Sequence, residues 1–379
     1  MTKVLSILFL FFILASCQQH SEDKNINVAV KKAKLKVAVF KGNGAGAISV
    51  IETIEALHID SGIFAQAISA AEIQAGKLSN FDALVFPGGS GSKELNNLGK
   101  KGKQIVDHFI REEGKGIVGI CAGGYLLSST SGYPNLQIAS SVHIDRAHYN
   151  RGRGLIEFTL SKEGKVVFPE LANKRSFAQY YDGPILVQSD STKGEYQEMA
   201  TYVSDIHPDN FAPSGITPGK TFSLNEEVGK GKVFIIAGHP ESTPGMRWMI
   251  PRMARWVCNS ELVSYDKRWV RPEINDSVLL FTKARRKFEK KLFWQLFNED
   301  AKVQIKAMNE LYDLRSRPAV RWYIGLLRDQ NAETRSRAAQ LLMQTEYSYA
   351  IEDLIEAAKV EEDQKVKETI EKAIIYLRY

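Results

Sequence analysis

The chain has 379 residues, of which 44% are hydrophobic and 25% are charged, a composition typical of a folded globular protein with room for two or three domains. Its 50 basic and 44 acidic residues leave a formal charge of +6, which is small for this length. Nucleic-acid binding needs a concentrated basic face, so the composition argues against a nucleic-acid partner.

The first residues are predicted to be a lipoprotein signal peptide over residues 1–16. Lys3 provides a positive charge, and residues 4–16 form a nearly continuous apolar run that is too short to span a bilayer as a helix. The run ends in Leu-Ala-Ser before Cys17, which resembles the lipobox of bacterial lipoproteins. The resemblance implies that cleavage leaves Cys17 as an acylated N-terminus that anchors the chain in a membrane. The alternative is a plain secretory signal that contains a cysteine.

Residues 17–33 are then a polar tether that cannot form a core. Because no Asp follows Cys17, we expect a lipid-anchored protein of the cell envelope, at the outer membrane of a Gram-negative bacterium. In that oxidising compartment a disulfide between Cys121 and Cys258 is allowed by count. The elbow described below instead predicts a free thiol at Cys121. The apolar helix around Cys258 predicts that this second cysteine is a small buried hydrophobe.

Buried strands are predicted over residues 35–40, 81–86 and 116–120, each ended by glycine-rich sequence, with helices over residues 48–57 and 102–113. Strands that alternate with helices predict a mostly parallel sheet covered by helices on both faces. Ligands of such sheets bind beyond the carboxyl ends of the strands, where the glycine-rich turns lie.

Short strands and turns follow, and a last buried strand and a closing helix complete an α/β domain over residues 34–265. The later strands are predicted over residues 155–160, 185–187, 198–203 and 232–237, and the closing helix over residues 248–257.

The last part of the chain repeats a helical pattern about every 31 residues. Each copy opens with a capping residue, Asp300, Asn331 or Asp363, and continues with apolar residues at helical spacing. Residues 300–379 therefore resemble a small all-α domain of HEAT-like repeats, and an unrelated helical bundle is the alternative. Such a solenoid is expected to dock a protein partner.

Residues 266–299 are predicted to be a linker and a helix. The basic residues between positions 283 and 291 are interpreted as the solvated face of that helix, next to a second face of the same helix that is packed. A patch for lipid headgroups or nucleic acid is the alternative.

The residues that carry chemistry begin with Gly119-Ile120-Cys121-Ala122-Gly123. The segment follows a buried strand and precedes an apolar helix, which is the arrangement of a nucleophile elbow. The turn is so sharp that side chains at the flanking glycines would clash, and the helix N-terminus favours a thiolate at Cys121. The backbone N–H groups of Ala122 and of Gly88 and Gly89 are expected to form an oxyanion hole. The alternative is a glycine-rich turn with an incidental cysteine.

A second segment, Gly238-His239-Pro240-Glu241, follows another buried strand. A thiol nucleophile needs a neighbouring base, and the base needs an orienting group. Because residues two apart at a strand end point the same way, Glu241 is expected to hold the imidazole of His239. We therefore predict a Cys121–His239–Glu241 triad, against the alternative of a turn with a surface histidine.

These segments together resemble the class I glutamine amidotransferase superfamily, and within it the N-terminal domain of biotin-protein ligases and related stand-alone bacterial proteins. The resemblance covers residues 35–257 and implies a flavodoxin-like fold and a Cys–His–Glu site at Cys121, His239 and Glu241. The matching motifs are VFKGNGA at residues 39–45, VFPGG at 85–89, GICAGGY at 119–125, YYDGP at 180–184 and GHPE at 238–241.

The chain departs from the glutamine amidotransferases in two respects. Gly124 stands where those enzymes usually carry a Gln or His that helps to hold glutamine, and helical repeats take the place of a synthetase domain. Glutaminase activity is therefore not expected, and neither is biotinylation, because a biotin ligase catalytic domain is missing.

Three functional hypotheses follow. The first is a cysteine-dependent enzyme acting on an amide or ester of a small molecule or peptide, without a metal or cofactor. The second is an inactive or weakly active ligand-binding scaffold, and the third is redox sensing by Cys121. Loops near Asn43, Ser90 and Tyr181 and over residues 142–154 are expected to contact the ligand. Arg153 in the last of these loops is interpreted as solvated, with contact to an anionic group as the alternative.

Overall fold

The computed structural model describes residues 34–144, 152–189, 194–206 and 214–378. The predicted anchor Cys17 lies outside the described residues. Lys34–Tyr379 form one compact unit. Within the described ranges, no helix combines the length and the apolarity needed to cross a membrane.

Twelve strands and twelve α-helices are assigned within these ranges. The strands are β1 (Leu35–Phe40), β2 (Ile63–Ile68), β3 (Ala83–Phe86), β4 (Gly116–Ile120), β5 (Ser141–His143), β6 (Arg153–Leu160), β7 (Ser176–Tyr181), β8 (Leu186–Gln188), β9 (Gln197–Tyr202), β10 (Thr221–Val228), β11 (Gly231–Ile236) and β12 (Leu279–Leu280). The helices are α1 (Ala47–Leu57), α2 (Ala70–Gln74), α3 (Gly91–Arg111), α4 (Ala122–Leu127), α5 (Lys162–Val167), α6 (Met249–Val257), α7 (Lys283–Gln295), α8 (Ala301–Asp313), α9 (Ala319–Leu326), α10 (Ala332–Gln344), α11 (Ile351–Val360) and α12 (Gln364–Leu377).

One half of the sheet is parallel and has the flavodoxin-like order β2-β1-β3-β4-β11. Beyond β11 the sheet continues antiparallel through β10, β9 and β6 to β12. Apolar clusters cover both faces, one around Trp248 and Phe222 and the other around Phe86 and Phe109. The predicted α/β sheet is therefore confirmed, with an antiparallel extension.

Five strands, β2, β5, β7, β10 and β12, are absent from the predicted elements. The edge strand β2 alternates buried and exposed residues in its first half, so it lacks the continuous apolar run of a central strand. In β10 the buried residues include Ser223 and Asn225, so the sequence of this strand does not show the apolar pattern expected of a buried strand. Helix α3 begins at Gly91, 11 residues before the predicted start at residue 102, because it consists of two segments joined at Gly99 (φ 63°, ψ −178°).

The helical region confirms the predicted repeats. Helices α8, α10 and α12 begin directly after Asp300, Asn331 and Asp363. Asp300 accepts a hydrogen bond from a first-turn N–H and Asp363 accepts two, whereas Asn331 makes no side-chain cap. Helices α9 and α11 lie between them, and the set packs around one apolar core that includes Leu311 and Leu342.

The helical region also packs on the loop that follows β11. The buried Glu346 carboxylate accepts a hydrogen bond from Gly245 N at 3.0 Å and is paired with Arg271. Gln179 Nε2 of β7 donates to the Arg315 carbonyl at 2.9 Å. These bonds connect the repeats to the part of the α/β domain that carries His239.

Candidate active site

Cys121 occupies a sharp turn between β4 and α4. Its backbone (φ 50°, ψ −101°) is in a region that residues with a side chain rarely adopt. A Cβ at Gly119 would lie 2.6 Å from Leu127 Cδ1, and one at Gly123 would lie 2.4 Å from the Phe86 carbonyl oxygen. The flanking glycines are thus required by close packing, as the elbow geometry predicts.

His239 and Glu241 follow β11 and are both buried. His239 Nδ1 lies 2.7 Å from Glu241 Oε1, and the backbone N–H of His239 donates to the Gln179 carbonyl at 2.7 Å. Glu241 Oε1 also accepts a hydrogen bond from Ser49 Oγ at 2.9 Å. The imidazole is therefore held through Nδ1, on the side of the ring opposite to Nε2.

The surrounding charges favour a protonated imidazole and an ionised carboxylate. Burial alone would lower the pKa of His239, but interactions with Cys121 and Glu241 raise it to about 10. Burial alone would raise the pKa of Glu241, but the His239 and Arg317 charges and the Ser49 hydroxyl lower it below its usual value.

The thiol lies within reach of this pair. Cys121 Sγ is 3.4 Å from the Tyr181 carbonyl oxygen, to which the neutral thiol donates, and the side chain is only 5% exposed. Because Nδ1 is bonded to Glu241, Nε2 is the imidazole nitrogen left to accept the Cys121 proton. Both described cysteines are free, so Cys121 and Cys258 form no disulfide.

A cavity of about 580 Å³ lies over Cys121 and His239. Ser90 and Tyr181 line it. Asn43 is not among the lining residues: it is exposed, and its backbone N–H donates to the Asn97 side chain of α3.

The structure also corrects the predicted oxyanion hole at one position. The Gly88 N–H donates to Ser49 Oγ at 2.9 Å and is therefore not available to a substrate. Gly89 N–H makes no hydrogen bond among the described residues, and Ala122 N–H is at the first position of α4, where helices leave donors free. Both Gly89 and Ala122 line the cavity.

Arg317 is a site residue that the sequence did not point to. It precedes α9 in the helical region, yet it lines the cavity. Its Nε donates to Glu52 Oε2 at 3.0 Å, and its guanidinium lies 3.8 Å from Glu241 Oε1 and 5.8 Å from the Tyr181 ring centre. No motif marks this contact, because Arg317 and Glu52 are 265 residues apart.

Arg153 also lines the cavity rather than being merely solvated. Its guanidinium bonds Asp182 Oδ2 at 2.9 Å and lies 5.9 Å from the Tyr181 ring centre. The preceding residues 145–151 of the predicted ligand loop lie outside the described residues. No cluster of three or more His, Cys, Asp and Glu side chains suited to a metal ion is found in the described ranges.

Substituting Gly88 with alanine is expected to displace His239. The added Cβ would lie 2.5 Å from His239 Cε1, so the imidazole must leave its present position beside Cys121 and Glu241. We expect the alkylation rate of Cys121 to fall at least about tenfold, and stability to fall by about 1–3 kcal/mol. Gly325→Ala in α9 is the control, because its Cβ would meet nothing within 4 Å. An unchanged alkylation rate in Gly88→Ala would show that His239 does not act on the thiol.

Known families match both parts of the chain. The family model described as "Biotin-protein ligase, N terminal" matches residues 35–264, and the model "HEAT repeats" matches residues 289–375. The first match spans more than half of the chain, so the chain belongs to the biotin-protein ligase N-terminal family. None of the curated proteins matches the chain.

Solved structures with a similar arrangement include a ThuA-like protein from Parabacteroides merdae, 11% identical, with a TM-score of 0.44 over 62% of this chain and 99% of that one. A β-galactosidase from Rahnella sp. R3 is 11% identical, with a TM-score of 0.37 over 59% of this chain and 31% of that one. A cytoplasmic protein from Salmonella typhimurium LT2 is 15% identical, with a TM-score of 0.34 over 59% of this chain and 97% of that one.

Proposed function

We propose that this member of the biotin-protein ligase N-terminal family is a cysteine-dependent enzyme that hydrolyses or transfers an acyl group from an amide or ester. The observation that carries the proposal is the juxtaposition of a strained elbow cysteine with a buried His239–Glu241 pair under one cavity. A backbone strain of this kind is typically retained at functional sites.

The first step is attack by Cys121 on the substrate carbonyl. With the thiol proton held on His239 Nε2, the Cys121 thiolate forms the S–C bond while the carbonyl π electrons move to oxygen. The N–H groups of Ala122 and Gly89 stabilise that oxyanion. When the tetrahedral species collapses, the C–N or C–O bond breaks and His239 returns the proton to the leaving group.

A thioester on Cys121 is the product of this half-reaction. In the second half, His239 takes a proton from water or from an acceptor amine, which attacks the thioester and releases the thiolate. Glu241 stabilises the imidazolium formed in both halves, since its Oε1 is 2.7 Å from Nδ1.

The substrate is proposed to be a small molecule or peptide other than free glutamine. A Cβ at Gly124 would lie 2.9 Å from Ile235 Cγ2 and 3.0 Å from Pro184 Cγ, so this position has no room for a side chain that holds a glutamine. We further propose that the enzyme acts in the cell envelope, anchored through Cys17 as the N-terminal sequence indicates.

The second candidate function is ligand binding without turnover. It is favoured by the closed resting state of the thiol, which is 5% exposed and bonded to the Tyr181 carbonyl. In that case the cavity would hold a ligand, and the protein would act as a scaffold.

Trapping on Cys121 separates these functions. The protein is incubated with small-molecule and peptide extracts of bacterial envelopes, and its peptides are analysed by mass spectrometry. We expect an adduct on Cys121 that hydroxylamine removes, as it does a thioester, and that is absent in His239→Ala. An adduct removed only by a thiol reductant would indicate oxidation, and a ligand retained without any adduct would favour the scaffold.

A further inference from the structure

We propose that α7 and the aromatic residues beside its end form a membrane-binding face that fits the anionic headgroups of a lipid bilayer. We call this surface the α7 face and define it by Lys283, Lys287, Lys290, Trp294, Phe297 and Trp322. It lies in the helical region, and it depends neither on the activity proposed for Cys121 nor on the expected N-terminal anchor.

The first observation is a stripe of exposed lysines along one side of α7. Positions 283, 287, 290 and 294 are separated by four, three and four residues, so their side chains share one face of the helix. All four residues are exposed. Within the described parts of the chain, Lys287 and Lys290 take part in no salt bridge, so their charges are available to an external anion.

The second observation is an exposed aromatic cluster where this stripe ends. Trp294 is 70% exposed, Phe297 62% and Trp322 42%. The rings contact one another, with centroid distances of 6.4 Å between Trp294 and Phe297 and 5.4 Å between Phe297 and Trp322. Exposed apolar patches of this kind normally mark an interaction site.

The combination favours lipid over a protein partner. Tryptophan side chains concentrate at the headgroup level of membranes, because one part of the ring system is apolar and the indole N–H is polar. Lysines beside them are attracted by anionic headgroups, each contributing to binding at the surface. A protein partner for this cluster would also have to provide counter-charges for a row of lysines that extends over about two turns of helix.

The test measures binding of residues 34–379, the compact unit, to vesicles, so that the acyl chains expected on Cys17 play no part. Vesicles of phosphatidylethanolamine and phosphatidylglycerol (3:1) are compared with vesicles of phosphatidylcholine by flotation. We expect at least about tenfold stronger binding to the anionic vesicles, and loss of this preference at about 0.5 M salt because surface charges are screened.

Two double variants test the two halves of the face. The first double variant removes two aromatic side chains (Trp294→Ser with Phe297→Ser), and the second removes two charges (Lys287→Gln with Lys290→Gln). Each is expected to weaken binding to anionic vesicles about tenfold. The matched controls lie elsewhere on the surface and should bind like the unmodified chain. They are Tyr349→Ser, whose side chain is 55% exposed, and Lys100→Gln with Lys101→Gln on the exposed side of α3.

The proposal is overturned if the chain binds neither vesicle, or if the two double variants bind as strongly as the controls. It is also overturned if the chain ignores vesicles but self-associates, or captures an envelope protein, in a manner that Trp294→Ser with Phe297→Ser abolishes. Thermal unfolding of each variant confirms that a loss of binding does not reflect a loss of folding.

Discussion

Replacing His239 with alanine is expected to slow the alkylation of Cys121 by iodoacetamide about 100-fold at pH 6. In the intact site His239 interacts directly with the thiol and stabilises the thiolate that reacts, whereas His239→Ala leaves the thiol without that partner. Without the imidazole, less than about 1% of the thiol would be ionised at pH 6. The rate is measured by mass spectrometry from pH 6 to pH 10.

The way the alkylation rate depends on pH follows from the direction of the pKa shift of His239. The pKa of His239 is raised above its usual 6.5 to about 10, so the folded protein stabilises the protonated imidazole. That contribution is complete below about pH 6.5 and is lost as the pH rises through about 10. The rate advantage of the unmodified protein over His239→Ala should therefore be largest at low pH and should shrink as the pH rises toward about 10.

Cys258 provides an internal control for this experiment. Burial raises the pKa of its thiol to about 12, so it should remain unlabelled in the folded protein throughout this pH range. Label on Cys258 would report unfolding. Equal rates for the unmodified protein and His239→Ala at pH 6 would contradict the proposed role of the pair.

Replacing Arg317 with alanine is expected to lower the free energy of unfolding by about 3 kcal/mol and to slow Cys121 alkylation as well. Glu52 is only 5% exposed, and removing Arg317 leaves its buried carboxylate without this opposite charge, although it still accepts a hydrogen bond from the Ser242 hydroxyl. The same guanidinium lowers the pKa of Glu241 and lies 3.8 Å from it, so its loss also weakens the group that orients His239. Chemical denaturation and alkylation are measured on the same samples.

Three variants separate the two effects of Arg317. Arg321→Ala removes an exposed arginine from the same segment and should change neither quantity. Arg317→Lys should retain part of the stability and part of the alkylation rate. Combining Arg317→Met with Glu52→Gln should recover stability, because no unpaired charge remains, but not the alkylation rate. If Arg317→Ala alkylates like the unmodified protein, its part in the site is structural only.

This contact also changes how a protein partner of the repeats should be sought. Deleting residues 300–379 would remove Arg317, Arg315 and Glu346 together, and each of them contacts the α/β domain. Loss of a partner or of activity after that deletion would therefore not identify a docking surface. Point variants on exposed helix faces avoid this difficulty.

Much of the fold could be predicted because its local patterns are strong. Strands β1 and β4 are continuous apolar runs that end at glycine-rich sequence, and the structure has them over the predicted residues. The helices after Asp300, Asn331 and Asp363 begin where a capping residue precedes an apolar pattern. The edge strand β2 and strand β10, which buries polar residues, could not be predicted in this way, since their burial depends on neighbouring strands.

The sequence by itself determined the elbow at Cys121 and the pairing of His239 with Glu241, because each is encoded by a few consecutive residues. The tertiary structure alone decided how the site is completed. It assigns the Gly88 N–H to Ser49, leaves Asn43 outside the cavity and brings Arg317 from the repeats to Glu241. The physical reason is that hydrogen bonds and ion pairs depend on distance in space, and residues far apart in the chain leave no local pattern that records their contact.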